Sequence, residues 1–370
     1  MPAALRIFHV AGDRFSELPE LPANRPDSGF LWIGVARPDF EALLPALQER
    51  LQAWEGGPLV DLHVSDLLNV QLPSHFDYTS WYDLLVFRRL VAGPGLADGA
   101  LPGDAKASHA QMREALAAID TSPLGFALFD HLLITVHPGG CVVREHFAQR
   151  LIALASGGDG RVALRLPAHP ADLMLRMVNH IVDSYLDLRR LLTRQLGTLQ
   201  HELLNPRSHF RDWSLLLDAR NALHQLEDTC EDQRAAIQEW IDALEEWPPA
   251  AGEVARRERE LLLVRSRDVQ EHIERVLTHV RRLEQSAEAA VQMHFSALSN
   301  RTNDIMRTLT VLTAIFLPLN LITGFFGMNF DALPLIHTST GVWVTIGLMA
   351  LVGVGLGAFF WRKRYLGTHH

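Results

Sequence analysis

The segment from Asn300 to Asn329, NRTNDIMRTLTVLTAIFLPLNLITGFFGMN, constrains the fold more than any other stretch. It opens polar and charged, and after Arg307 it carries no charge until Asp331. That is a run of about 23 residues, which at ~1.5 Å per residue crosses a hydrocarbon layer of ~30 Å. A second uncharged run, Thr338 to Trp361, is closed by Arg362, Lys363 and Arg364. Everything before Asn300 is too polar to enter a bilayer. The pattern predicts a large soluble body with two membrane spans at its C-terminal end.

The flanks set an orientation. Arg301 and Arg307 precede the first span, Arg362, Lys363 and Arg364 follow the second, and the short loop from Phe330 to His337 has no Lys or Arg. The positive-inside rule then places both termini in the cytoplasm and the loop outside, in the inner membrane of a cell. The N-terminus, MPAALRIFHV, lacks a charged region followed by an apolar core, so no signal peptide is expected. With 34 basic and 43 acidic residues the net charge is −9, which argues against nucleic acid as a partner. Cys141 and Cys230 lie far apart and form no CxxC, which argues against a disulfide framework and a thiolate zinc site.

Along the chain, residues 1–165 alternate between strand-like and helix-like runs and read as a cytoplasmic α/β domain. LRIFHVA, GFLWIGVA, YDLLVFRRLVA and HLLITVHP are rich in branched and aromatic residues, as strands are. FEALLPALQERLQAW, HAQMREALAAI and EHFAQRLIALA carry apolar residues at helical spacing. No GxGxxG, Walker loop, HExxH or GxSxG is present, and nothing suggests an enzyme or a bound cofactor. Residues 166–252 read as a helical hairpin, with one long helix expected from Ala171 to Asn205. From Glu253 to Phe316 there is neither Pro nor Gly, so a stalk helix is expected over 253–329. It continues into the first span at about 308–328. The loop then covers 330–340, the second span 341–361 and a basic tail 362–370. The fold class is an α+β membrane protein.

Counting back from Gly324 in steps of three or four gives Asn320, Leu317, Thr313, Thr310 or Leu309, Met306 and Asn303, which share one stripe. An amide inside a span must find a hydrogen-bond partner. The stripe is either an interhelical polar contact or the lining of a pore assembled from several copies. The second span has Gly347, Gly353, Gly355 and Gly357 and no polar stripe, as a supporting helix would.

The stretch SNRTNDIMRTLTVLTAIFLPLNLITGFFGMNFD, with Gly327-Met328-Asn329 ending the first of two terminal spans, resembles the CorA family of divalent-cation channels and transporters. The resemblance covers essentially the whole chain. It implies a homopentameric funnel in lipid, with five first spans lining the pore and the second spans outside them. It makes Gly327, Met328, Asn329 and Asp331 the outer entrance, Met306, Leu309 and Leu317 hydrophobic constrictions, and Asn303 a cytoplasmic polar ring. Thr310, Thr313, Asn320 and Gly324 line the path between. Asn320 stands where the family often has Thr and Leu317 where it often has Met, departures that bear on cation preference.

The implied ion is Mg²⁺, with Co²⁺ or Ni²⁺ as companions. Mg²⁺ sheds water reluctantly, and a ring of Asn carbonyls can bond its hydration shell without stripping it. The resemblance also implies a regulatory metal site, Asp268 with Asp66 of a neighbouring copy, although Ser65 stands where the family often has an acid. A zinc transporter of the ZntB branch is the alternative, for which His272, His279, His294 and His337 are candidate ligands. A non-conducting membrane-anchored metal sensor or scaffold is a third reading.

Overall fold

Stretches rich in Val, Ile, Leu and Phe become central strands because their side chains bury on both faces of a sheet. The computed structural model of the chain describes residues 5–91, 110, 112–114, 116–155, 166–204, 213–248, 252–328 and 339–363. It divides into two units, residues 1–202 with 209–288, and residues 203–208 with 289–370.

The first unit holds a seven-stranded sheet. Its strands are β1 (Leu5–Ala11), β2 (Arg14–Leu18), β3 (Phe30–Ala36), β4 (His75–Tyr78), β5 (Asp83–Arg88), β6 (Pro123–Leu128) and β7 (Leu132–His137). Their order is β2-β1-β3-β7-β6-β5-β4, with β3 and β7 parallel and every other pair antiparallel. The strands β2, β4 and β6 carry no strand signal in the sequence. The first two are short and polar, and β6, PLGFAL, contains two residues that usually break strands. Packing explains Gly125 in β6. A Cβ there would lie 2.2 Å from Leu67 Cδ2, so only glycine admits this close approach.

Helices α1 (Arg37–Trp54) and α2 (Asp61–Leu68) cover one face of the sheet. Phe40, Leu47, Leu51 and Leu67 join Ile33, Val35, Ile134 and Val136 in that core. The other face carries α3 (Val142–Ala155), α4 (Pro170–Asp183) and α6 (Trp213–Glu246), with α5 (Tyr185–Leu204) following α4 in the chain. The single long helix expected over 171–205 is two, broken at Ser184. There the Ser184 hydroxyl donates to Ile181 O at 2.5 Å and locally competes with the helical ladder.

Helix α7 (Glu253–Phe326) contributes to both units. In the first unit, Leu262, Ser266, Val269, Ile273, Val276, Leu277 and Val280 form its buried ridge. Their spacing of three and four residues matches the ridge of α6, where Leu223, Leu226, Cys230, Gln233, Ile237, Trp240 and Leu244 are buried. Trp240 Nε1 donates to Ser266 Oγ at 2.9 Å, and Ser266 Oγ donates to Leu262 O, which satisfies the Ser266 hydroxyl in that seam. Gln233 Nε2 donates to Arg88 O at 2.7 Å and ties α6 to the end of β5.

In the second unit, α7 continues to Phe326 beside α8 (Ser339–Arg362). Both are long and apolar enough to cross a membrane. Leu319 of α7 faces Gly353 of α8: a Cβ on Gly353 would lie 3.9 Å from the leucine side chain, an ordinary van der Waals distance.

Candidate functional site

On α7, the residues covered or partly covered by the chain itself are Arg307, Val311, Ala314, Ile315, Pro318, Leu319, Ile322 and Phe326. They recur every three or four residues and form one face. Asn303, Met306, Leu309, Thr310, Thr313, Leu317, Asn320 and Gly324 are all exposed and form another. At 3.6 residues per turn the centres of the two faces lie roughly 150° apart. Leu317 keeps 70% of its surface exposed and Val311 keeps 1%. The polar stripe therefore points away from α8. Off the stripe, Ile315, Leu319, Ile322 and Phe326 lie on the covered face, and Leu312 and Phe316 are exposed.

The hydroxyls on this stripe are tied to the helix. Thr310 Oγ1 donates to Met306 O at 2.8 Å, and Thr313 Oγ1 donates to Leu309 O at 2.9 Å. Each spends its proton on the preceding turn, so the oxygen lone pairs are what remain to face outward, as suits contact with a cation or its water. No carboxylate occurs on α7 after Asp304. Gly327 N donates to Thr323 O at 2.9 Å as the helix ends, and a Cβ on Gly327 would sit 2.9 Å from that same oxygen. Glycine is required there for the chain to turn. Met328 is exposed. Asn329, Asp331 and His337 lie outside the described residues.

Asp268 sits in the first unit, in a cavity of about 320 Å³ lined by residues of α3, α4 and α7. Asp183, Asn179 and His180 share that lining. His272 links the two carboxylates: Nε2 lies 3.7 Å from Asp268 Oδ1 and Nδ1 lies 3.4 Å from Asp183 Oδ1. Arg265, the other helical neighbour of Asp268, pairs instead with Asp172, as does Arg176 at 2.9 Å. His180 stacks on His146 at 4.3 Å, and burial, with His146 beside it, lowers its pKa. Buried with no hydrogen-bond partner are Asn179 Oδ1 and His146 Nε2. Asp183, Asn179 and His180 escape sequence reasoning because they lie more than eighty residues from Asp268. Only His272, one turn beyond Asp268, was legible.

Asp66 is on α2, half-buried, with His75 Nε2 at 3.8 Å. Within one chain it and Asp268 therefore have different neighbours. Of the histidines, His279 reaches Thr193 Oγ1 at 3.3 Å, and His294 Nδ1 lies 2.7 Å from Leu203 O. A group that the sequence did not single out is His224, Glu227 and Glu284, whose ligand atoms all lie within 4.8 Å of one another. Burial and a hydrogen bond to Glu227 raise the pKa of Glu284, and the Arg281 guanidinium on Glu227 lowers the pKa of that carboxyl.

Comparison with known proteins places these features in a family. Residues 108–364 match the family model described as CorA-like Mg2+ transporter protein. The cobalt/magnesium transport protein CorA of Thermotoga maritima is 25% identical over 198 residues, 52% of each chain, so the match spans about half of that relative's length. The magnesium transport protein CorA of Haemophilus influenzae is 25% identical over 249 residues, 67% of this chain and 73% of that one. The complete structure of the CorA magnesium transporter from Methanocaldococcus jannaschii superposes with a TM-score of 0.71 at 18% identity, over 98% of both chains, and shares the fold. The family model alone covers well over half of the chain, and the chain belongs to the family of CorA-like Mg²⁺ transporter proteins, which are membrane transporters and not enzymes.

Proposed function

We propose that the chain forms a homopentameric channel in the inner membrane that admits hydrated Mg²⁺, with Co²⁺ and Ni²⁺ as companions. The observation that carries this reading is the stripe from Asn303 to Gly324, left exposed on the side of α7 turned from α8. An amide inside lipid is costly, and five copies gathered about an axis would give Asn320 a polar path to face. The domain plan is a cytoplasmic α/β domain (1–165), a helical segment (166–252), a stalk and first span (253–329), an outer loop (330–340), a second span (341–361) and a cytoplasmic tail (362–370). Both termini lie in the cytoplasm.

Driving force comes from the membrane potential. A divalent ion moving to a negative interior gains about 4.6 kcal/mol per 100 mV, so no nucleotide is needed. With oxygens on the stripe and no carboxylate, binding stays weak enough for release. Leu309 and Leu317 close the path by dewetting. Cation bound at Asp268 inside the cell, with Asp66 of a neighbouring copy, restrains opening and gives feedback by linkage.

The test is uptake of Mg²⁺ and Zn²⁺ into proteoliposomes at a set potential. Mg²⁺ uptake that follows the potential and falls in Asn329→Ala is expected. Zn²⁺ uptake abolished by a proton uncoupler, with no Mg²⁺ flux, would overturn the Mg²⁺ reading in favour of a zinc transporter. Asp268→Ala should remain conducting at internal Mg²⁺ concentrations that silence the parent. Equal inhibition of the two would remove Asp268 from regulation.

A further inference from the structure

At the carboxyl ends of the parallel strands β3 and β7, the first unit collects positive charge that the acids among its described residues balance only in part. His137 ends β7, Arg37 follows β3, Arg89 follows β5, and Arg144 lies in the first turn of α3. All four are at least nine-tenths buried, with 1% of His137, 3% of Arg144 and 8% each of Arg37 and Arg89 exposed. Arg89 is paired with Asp120 and Arg144 with Glu145. Arg37 donates only to the carbonyls of Leu67, at 3.0 Å, and Pro123, at 2.5 Å, and has no carboxylate partner among the described residues. A buried guanidinium cannot shed its proton, and a buried charge without a counter-charge is costly.

The donors point to the same deficit. Arg89 Nε, Arg144 Nη1 and His137 Nδ1 are buried without a hydrogen-bond partner. Burial and the charges of Arg144, Arg89 and Arg37 depress the His137 pKa to about 3, so its ring is neutral and carries one proton. Trp32 Nε1 donates to Thr135 Oγ1 at 2.9 Å. The Thr135 hydroxyl proton then has two acceptors in reach, His137 Nε2 at 2.7 Å and Ile33 O at 3.5 Å. That 2.7 Å contact serves either ring tautomer, with Thr135 or His137 as the donor. Two guanidinium N–H donors thus lack an acceptor among the described residues, beside a ring nitrogen that also has no partner. Both β3 and β7 lead into helices here, α1 and α3, whose N-terminal ends also favour negative charge.

We propose that this cluster holds a small inorganic anion of halide size, chloride in a cell, as a structural counter-ion of the α/β domain. The nearly complete burial of its donors favours a monatomic guest over a tetrahedral oxyanion. The nearest built-in competitor is Cys141, whose Sγ lies 3.7 Å from Arg89 Nη1. A thiol sulfur is a weak acceptor.

The test uses the full chain in detergent at constant ionic strength. Replacing gluconate by chloride or bromide should raise Tm with the logarithm of halide concentration, by on the order of 3 °C per tenfold step once the site is occupied. Arg89→Lys, which removes the Nε donor, should abolish that slope. Bromide-soaked crystals of the parent should give an anomalous peak beside Arg89 Nε and Arg144 Nη1, which decides the matter alone if the variant does not fold. Equal melting in gluconate and chloride, bromide bound only elsewhere, or stabilisation by sulfate or phosphate but not by halides would each overturn the proposal.

Discussion

The two halves of α7 are built on the same three- and four-residue spacing but handle their buried face differently. From Leu262 to Leu283 the apolar ridge is covered by the chain itself, and Ile273 and Val280 have no exposed surface. From Asn303 to Gly324 the chain covers one face only, and the amide-and-hydroxyl stripe is left open. The apolar ridge of the first half is covered within a single copy. In the second half, Leu317 and Leu321 are 70% and 73% exposed, surface that a monomer in water would not leave bare. Helical spacing therefore says where a face is, and the residues on it say what must cover it: the same chain, lipid, or more copies.

The sharpest way to break this contrast is to damage each half separately. Trp240→Ala removes the largest side chain in the α6–α7 seam and the indole donor to Ser266. It should cost about 3–5 kcal/mol, read as a lowered denaturation midpoint of the full chain in detergent. A loss below about 1 kcal/mol would mean that the seam is not the first unit's main support. Asn320→Leu should leave that midpoint unchanged and instead lower Mg²⁺ uptake roughly tenfold, equivalent to about 1.4 kcal/mol of barrier. Phe316→Leu, exposed on α7 but off the stripe, should conduct like the parent. Equal effects of the two span variants would remove the stripe's claim to the ion path.

Legibility in the sequence followed the same division. Both apolar runs, the α7 stripe and the central strands β1, β3, β5 and β7 could be read because each depends on local composition or a fixed period. Strand β6 could not be, since its Pro and Gly argue against a strand and only Leu67, pressing on Gly125 from α2, explains the glycine. The break at Ser184 was equally hidden, because apolar spacing runs through it from α4 into α5. Asp268 was readable, as was His272 one turn on. Asp183, which His272 joins to it, was not, because tertiary folding alone brings α4 to α7. The His137 cluster is of the same kind: four basic residues from three strand ends and a helix start, each unremarkable alone.

A smaller change sharpens the contrast from the side of the sheet. Burial, with Asp130 nearby as a like charge, raises the pKa of Asp83 on β5 to about 6. The unfolded chain holds that carboxyl near its ordinary value, so between about pH 4 and 6 the folded state binds more protons than the unfolded state. Asp83 therefore costs the protein nothing below pH 4 and progressively more as the pH rises through 6. The full penalty is at most about 3 kcal/mol. Asp83→Asn should raise Tm at pH 7.5, with the gain shrinking as the pH falls and vanishing near pH 4. Mg²⁺ uptake at pH 7.5 should not change, since Asp83 is neither on the α7 stripe nor one of the proposed metal-binding carboxylates. A gain in Tm that persists at pH 4 would mean that the Asn amide packs better than the acid, with ionisation playing no part.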